Sequence, residues 1–305
     1  MKTLLVIDTF NFLHRAYHAL PTTLRDSSGG PTNAVYGVTS MLINVLNTIK
    51  PQYMVAALDS KEQTFRAEEF TAYKAHRKPM EDDLSVQIPK VLEVIDSFGI
   101  KTIQVSGYEA DDVIGTLVEK FAGKVNIVVV SNDRDLWQLV NGHTKIMVPG
   151  KKGVVTWIDK QKAAEKFGFD SEKIADYKGL CGDPSDNIPG VYGIGDKTAT
   201  RLIQEYGSME NIYKNLKEIR PDSLRKKLEE NYEQALMSKK LAQLVLDVPF
   251  TVSIDECVYS DFNRGRVKQT LEKYNFKSLI KRLGFDPEGQ NSNSVPPDDN
   301  QLKLI

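Results

Sequence analysis

Apolar residues along the first 150 positions follow two rhythms. Short continuous runs occur at TLLVIDT (3–9), YMVAALD (53–59), KTIQV (101–105) and NIVVVSND (126–133). Runs this short, rich in Val and Ile, predict buried strands. Between them apolar residues recur at three- and four-residue spacing. Val35, Val38, Leu42, Val45 and Leu46 share one face over 33–49, and similar patterns predict helices over 85–98 and 109–122. KIMVPGKKGVVTWI (145–158) predicts a hairpin about a Pro-Gly-Lys-Lys-Gly turn. Strands alternating with helices predict an α/β domain, a mostly parallel sheet with helices on both faces. Beyond about residue 160 the pattern turns helical, with a last helix over 266–283. After Gly284 it gives way to a polar, Pro-containing tail.

In open parallel sheets ligands bind beyond the carboxyl ends of the strands. Asp8, Asp59 and Asp133 each close a predicted strand. One such aspartate would suit a helix N-cap; three, with more acids nearby, point to a shared site. The further acids are Glu109, Asp111 and Asp112, then Asp135, then Asp183 and Asp186. Asp183 and Asp186 would share one helical turn, and Asp133 and Asp135 one side of an extended end. Glu109 and Asp112 can share a face, and Asp111 joins them only if the helix starts late, leaving Glu109 in the loop. Nine carboxylates this dense raise one another's pKa unless cations join them. Hard divalent ions with oxygen ligands meet that need, Mg²⁺ being the usual one beside phosphates. Two ions about 4 Å apart would clamp the attacking water and leaving oxygen of a phosphodiester. The alternative, a solvated acidic face, predicts acids scattered along exposed helices, whereas these lie in apolar surroundings.

Composition narrows the classes. The chain has 305 residues, 41% hydrophobic and 27% charged, enough for one large or two smaller folded domains. Cys181 and Cys257 are too few for a disulfide scaffold or a cysteine-rich zinc site, and His14, His18, His76 and His143 lack zinc spacing. The start, MKTLLVIDT, reaches an acid too soon for a signal peptide, and no apolar run approaches a membrane span; a cytoplasmic protein is expected. Lys and Arg number 40 against 41 Asp and Glu, for a net charge of −1. With nine of those acids gathered in one site, 32 remain against 40 cations, so a basic surface for nucleic acid is compatible with neutrality overall.

VIDTFNFLHRAYHA, TFRAEEFTAYKAHRKP, GYEADDVIGTL, SNDRDLWQL and GDPSDNIPGVYGIGDKTA run in the order found in a known family. Over about residues 3–285 the chain resembles the 5′-nuclease domain of bacterial DNA polymerase I, of the flap endonuclease family. The resemblance implies a PIN-like catalytic domain over 1–165 with an arch at about 60–90, and a helical helix-hairpin-helix DNA-binding region over 166–285. All nine acids match metal-site positions of the family. Thr9 replaces Gly, Ser131-Asn132 replaces Thr-Gly, Pro184 replaces Ser and Tyr192 replaces Pro; none of these removes an acid. Lys74 and Arg77 match arch residues that steer the scissile phosphate, and Arg15 an active-site arginine. Arg66 and Tyr73 are expected to contact DNA. Gly193, Gly195, Lys197 and Thr198 form a turn into a helix that would grip duplex backbone, and in the family such a turn holds K⁺. Lys226, Lys227, Lys239 and Lys240 either extend that contact or form a solvated surface.

The expected function is a structure-selective 5′-3′ exonuclease and 5′-flap endonuclease in replication and repair, leaving a 5′-phosphate. It would use two Mg²⁺ ions, with Mn²⁺ able to substitute. Glu109, Asp111, Asp133 and Asp135 would hold the ions most directly, Asp8 and Asp59 completing the set. Asp183 and Asp186 would support the second ion. The alternatives are a nuclease-dead DNA-binding adaptor and an RNA-directed PIN-type nuclease. A monomer associated with the nucleoid is expected. Residues 286–305 are expected to be a disordered tail whose tip, Gln301-Leu302-Lys303-Leu304-Ile305, resembles the pentapeptide that binds the bacterial sliding clamp.

Overall fold

The computed structural model describes residues 1–150, 154–259 and 262–285. The expected tail, its clamp-binding peptide and the tip of the expected hairpin lie outside the described residues. Six strands form one sheet: β1 (Thr3–Asp8), β2 (Tyr53–Leu58), β3 (Lys101–Gln104), β4 (Asn126–Val130), β5 (Thr144–Pro149) and β6 (Val155–Ile158). Their spatial order is β3-β2-β1-β4-β5-β6. The first five are parallel, and β6 runs antiparallel to β5 with Ile146 opposite Ile158, as a hairpin requires. The chain moves outward from β1 to β3 and then returns to the other side of β1. The order therefore reverses between β1 and β4, which opens a crevice at their carboxyl ends.

Strand alternation divides the core in two. Leu4, Val6, Val55, Ile127 and Val129 face one side, with Val113, Ile114 and Leu117 of α6 (Ala110–Phe121). Leu5, Ile7, Met54, Val128 and Val130 face the other, with α1 (Thr9–Ala19), α2 (Asn33–Ile49) and α5 (Ile88–Ser97). Two short helices, α3 (Phe65–Glu69) and α4 (Asp82–Ser85), lie between β2 and α5. The expected arch is thus two short helices joined by turns.

On the α6 side follow α7 (Lys160–Phe167), α8 (Ile174–Cys181), α9 (Asp196–Tyr206), α10 (Met209–Lys214), α11 (Asp222–Glu230) and α12 (Tyr232–Ala242). The last helix differs from expectation. It is two, α13 (Arg264–Lys273) and α14 (Lys277–Arg282), separated at Asn275, whose φ is 60°. Neither joins the helical region: Val267, Leu271, Leu279 and Ile280 pack on the opposite face of the sheet. Tyr274 donates to Glu93 of α5, and Arg282 donates to Ser40 and Asn44 of α2.

Candidate active site

Asp8 ends β1 and also caps α1, accepting from the Asn11 amide at 3.1 Å through one oxygen and from the Ser131 hydroxyl at 2.6 Å through the other. Asp59 follows β2 and accepts from the Ala110 amide, so it steadies the start of α6. Both aspartates thus serve a helix start and still stand at the strand ends. After β4 the chain turns: Ser131 Oγ accepts from the Asp133 amide, and the Asp133 carboxylate from the Asp135 amide at 2.9 Å. Asp135 opens a short 3-10 helix (Asp135–Leu139) rather than extending the strand.

α6 begins at Ala110, which leaves Glu109 in the N-cap position and turns Asp111 toward the strand ends. Asp111 is surrounded by charge: burial holds its carboxyl well above the carboxylate range, and Asp133 and Asp8 add to this while Lys74 opposes it. Burial, aided by Asp59 and Asp133 and opposed by the Ser131 hydrogen bond, pushes Asp8 up to about 7. Asp59 is raised by burial against the Ala110 amide. Asp135 is pushed up by burial to about 6 even with Lys178 opposing it.

Lys178 of α8 is the residue that sequence reasoning missed. Its ammonium bonds both Asp135 and Asp183. Burial would lower it, but the two aspartates outweigh that and hold it raised, while it keeps Asp183 below the usual range despite burial. The signal was present as a lysine within the apolar face of IADYKGLC. Asp183 and Asp186 do not share a helical turn. They lie in a tight loop closed by reciprocal amide bonds between Asp183 and Ile188, so Asp183 faces Lys178 while Asp186 faces the segment from β2.

That segment covers the other end of the cluster. Lys74 Nζ lies 2.9 Å from Glu109 and 3.7 Å from Asp186. Burial alone would lower it, and the two carboxylates more than compensate. Arg77, 52% exposed, reaches Asp186 at 2.5 Å. Arg15 donates to Asn132, whose backbone amide donates to Asn11; Asn132 thus holds Arg15 beside the β4 turn.

Three expectations need correction. Asp112 is not in the cluster. It is 0% exposed and takes a bidentate pair from Arg66 at 2.6 and 2.7 Å, plus the amides of Glu109 and Val245. Arg66, 2% exposed, spends its other donors on the carbonyls of Leu241 and Gln243, so it joins α3, α6 and the end of α12 and offers nothing to DNA. Tyr73 is 6% exposed, its hydroxyl donating to Glu109 and Asp186, so its ring is no stacking platform.

The glycine turn lies between α8 and α9. Val191 and Ile194 are buried beneath it, while Gly193, Gly195 and Lys197 are exposed and Thr198 half-buried in the first turn of α9. Tyr192 is 82% exposed at its tip. Gly193 has φ 74°, and its carbonyl accepts from Lys227 at 3.2 Å. Lys239 is taken up by Asp176 and Glu210, and Lys240 by Glu69, so those two are not free cations for a duplex.

The donor set is carboxylate oxygen throughout, and buried carboxylates crowding one another fit hard divalent cations. Among the described residues no three of these side chains already close around one point as ion ligands would; Lys74 and Lys178 lie among them instead.

A family model described as the 5′-3′ exonuclease N-terminal, resolvase-like domain matches residues 3–168, and one described as the 5′-3′ exonuclease C-terminal SAM fold matches residues 169–265. The chain is 42% identical to a DNA polymerase I of Caldicellulosiruptor bescii over 286 residues, 92% of this chain and 33% of that protein. It spans about a third of the DNA polymerase I relatives it matches. It is 38% identical to a 5′-3′ exonuclease of Aquifex aeolicus over 284 residues, 93% of this chain and 96% of that one. In fold it resembles T5 5′-exonuclease with zinc bound, with a TM-score of 0.64 at 21% identity over 92% of this chain and 99% of that one. It also resembles the catalytic core of Rad2 in complex with DNA substrate, at 0.61 and 16% identity over 92% of each chain. The chain belongs to the 5′-3′ exonuclease family.

Proposed function

We propose that the chain is a structure-selective 5′ nuclease that hydrolyses DNA phosphodiesters at 5′ ends and 5′ flaps. The observation that carries this is one arrangement: carboxylates from β1, β2, β4 and α6 meet at the switch point of the sheet, under a cover that presents Lys74 and Arg77. Two Mg²⁺ ions, or Mn²⁺ in their place, would be held by Asp8, Asp59, Glu109, Asp111, Asp133 and Asp135, with Asp183 and Asp186 in support. Such ions supply an activated water and charge stabilisation at the phosphate. Lys74 and Arg77, already seated on carboxylates, turn to the scissile phosphate and stabilise the charge it develops. Arg15, half-buried beside the β4 turn and held by Asn132, orients the phosphate from the opposite side. Lys178 holds Asp135 and Asp183 in place.

Gly193, Gly195, Lys197 and Thr198 grip the duplex backbone through amides, hydroxyl and ammonium. K⁺ at this turn would use carbonyls other than that of Gly193, which Lys227 already serves. The catalytic unit over 1–165 and the helical unit beyond it act as a monomer on DNA, in the cytoplasm at the nucleoid. Gln301–Ile305 would tether the enzyme to the sliding clamp, raising its local concentration at loaded junctions. Removing those five residues should abolish binding in a clamp titration.

The test is cleavage of a 5′-labelled flap with Mg²⁺ and with excess chelator. Cutting at the junction with Mg²⁺ alone is expected. Binding without cutting would leave an adaptor, and cutting only of the RNA counterpart would leave an RNA-directed nuclease.

A further inference from the structure

Residues 183–190 are joined to the covering segment by contacts that none of the acids explains. The Lys74 amide donates to the Asp186 carbonyl at 2.9 Å. The Asn187 side-chain amide donates to the Ala72 carbonyl at 2.7 Å. Lys74 and Asn187 both lie in the left-handed region, with φ of 53° and 59°. A lysine there is uncommon and needs support from its surroundings. Asparagine tolerates that region better than any other side chain bearing an amide donor, so position 187 combines the backbone and the donor that the contact requires.

The consequence falls on Lys74. The ammonium of a long, flexible side chain is only as well placed as the backbone that carries it. Here that backbone is pinned on both sides, at Ala72 by Asn187 and at Lys74 itself by Asp186. We propose that Asn187 is a positioning residue: it sets the 72–74 backbone so that the Lys74 ammonium rests over Glu109 and Asp186, and it ties this placement to the glycine turn that follows. This rests on the reading of Lys74 as a group that acts on the scissile phosphate.

The intervening backbone has no slack. Asp183 and Ile188 exchange amide bonds at 2.8 and 2.9 Å, and Val191 donates to Leu180 at 2.7 Å. At Gly190, φ 63°, a Cβ would come within 2.2 Å of the Gly182 nitrogen, so the two strands of the loop touch through glycine alone. The Gly190 amide in turn donates to Ser238 of α12 at 3.0 Å. A duplex seated on Gly193–Lys197 therefore presses on the same rigid loop that holds the covering segment.

Asn187→Gly permits the left-handed backbone and removes only the amide; Asn187→Asp keeps the shape and replaces the donor with an acceptor facing the Ala72 carbonyl. Both are measured by single-turnover cleavage of a 5′-flap with Mg²⁺, by duplex affinity under non-cleaving conditions and by thermal melting. Asn187→Gly should lower the single-turnover rate about ten- to thirtyfold, and Asn187→Asp at least as much, with affinity and melting unchanged. Lys74→Ala should lower it about a hundredfold, and Asn187→Gly should then cost nothing further in that background. A wild-type rate in both Asn187 variants would overturn the proposal. So would a full, independent loss on top of Lys74→Ala, or a loss confined to affinity. A wild-type rate in Lys74→Ala would overturn the reading of the site as well, and separates that failure from one confined to Asn187.

Discussion

Among the described residues Asp8, Asp59, Asp111 and Asp133 form no ion pair: Asp8, Asp59 and Asp133 accept from hydroxyl and amide donors, and Asp111 is crowded by the charges of Asp133 and Asp8. Glu109, Asp135, Asp183 and Asp186, a short way along the same cluster, each receive an ammonium or guanidinium from Lys74, Lys178 or Arg77. Burial raises Asp8, Asp111 and, even beside Lys178, Asp135, while Lys178 keeps Asp183 low. The first group receives none of these cations. The second has its own, on side chains that also fit a phosphate. On the proposed reading both groups hold metal, and the second also carries the cations that would meet substrate, so the two halves should fail differently.

The largest loss is expected in the first half. Asp133→Ala or Asp111→Ala should cut turnover in saturating Mg²⁺ by about 4–5 kcal/mol, on the order of a thousandfold, with DNA binding retained. Near-normal turnover would sink the metal assignment. Arg66→Ala tests the boundary of the cluster, since it leaves Asp112 buried and unpaired; about 3–4 kcal/mol of folding stability should go. Calorimetric Mg²⁺ titration of Asp112→Asn should meanwhile give wild-type stoichiometry, and a lost ion would return Asp112 to the metal set.

In the second half, Lys74→Ala and Arg77→Ala should each cost about 3 kcal/mol in single-turnover rate and less in duplex affinity. Loss of affinity alone would reduce the covering segment to a docking surface. Lys178→Ala should lower stability by about 2 kcal/mol in chelator, and Mg²⁺ should restore much of it by replacing the missing cation. A melting deficit of equal size with and without Mg²⁺ would mean that Lys178 serves packing alone.

The smallest effect separates the aspartates by pH. Asp8 and Asp135 are raised, so in metal-free protein the folded state holds protons that the unfolded state has released. Their contribution is most favourable below about pH 4 and is lost as pH rises toward 7. Asp183 is lowered, so its contribution is present above the unfolded value and is lost as pH falls through the folded one. Chelated protein should therefore lose stability between about pH 4 and 7, and saturating Mg²⁺ should remove the slope. A flat profile in chelator would show that Asp8 and Asp135 carry no uncompensated charge.

The pattern along the chain was enough to determine the strands that build the site, the two covered faces and the aspartates at the strand ends. Each depends on periodicity and on residues adjacent in sequence, which folding preserves. The late start of α6 was legible as a condition that would bring Asp111 in, and the structure meets it. Partnership was not legible. Arg66 finds Asp112 46 residues away, and Lys178 finds Asp135 43 residues away, across different elements. A cation beside aromatics reads the same in sequence whether it will face DNA or be buried under a helix. Only packing decides, because it alone determines which charges lose water and must be paired within the chain. The division at Asn275 and the return of α13 and α14 to the other face follow from the same cause: an amphipathic stripe identifies an apolar side but not the surface that will cover it.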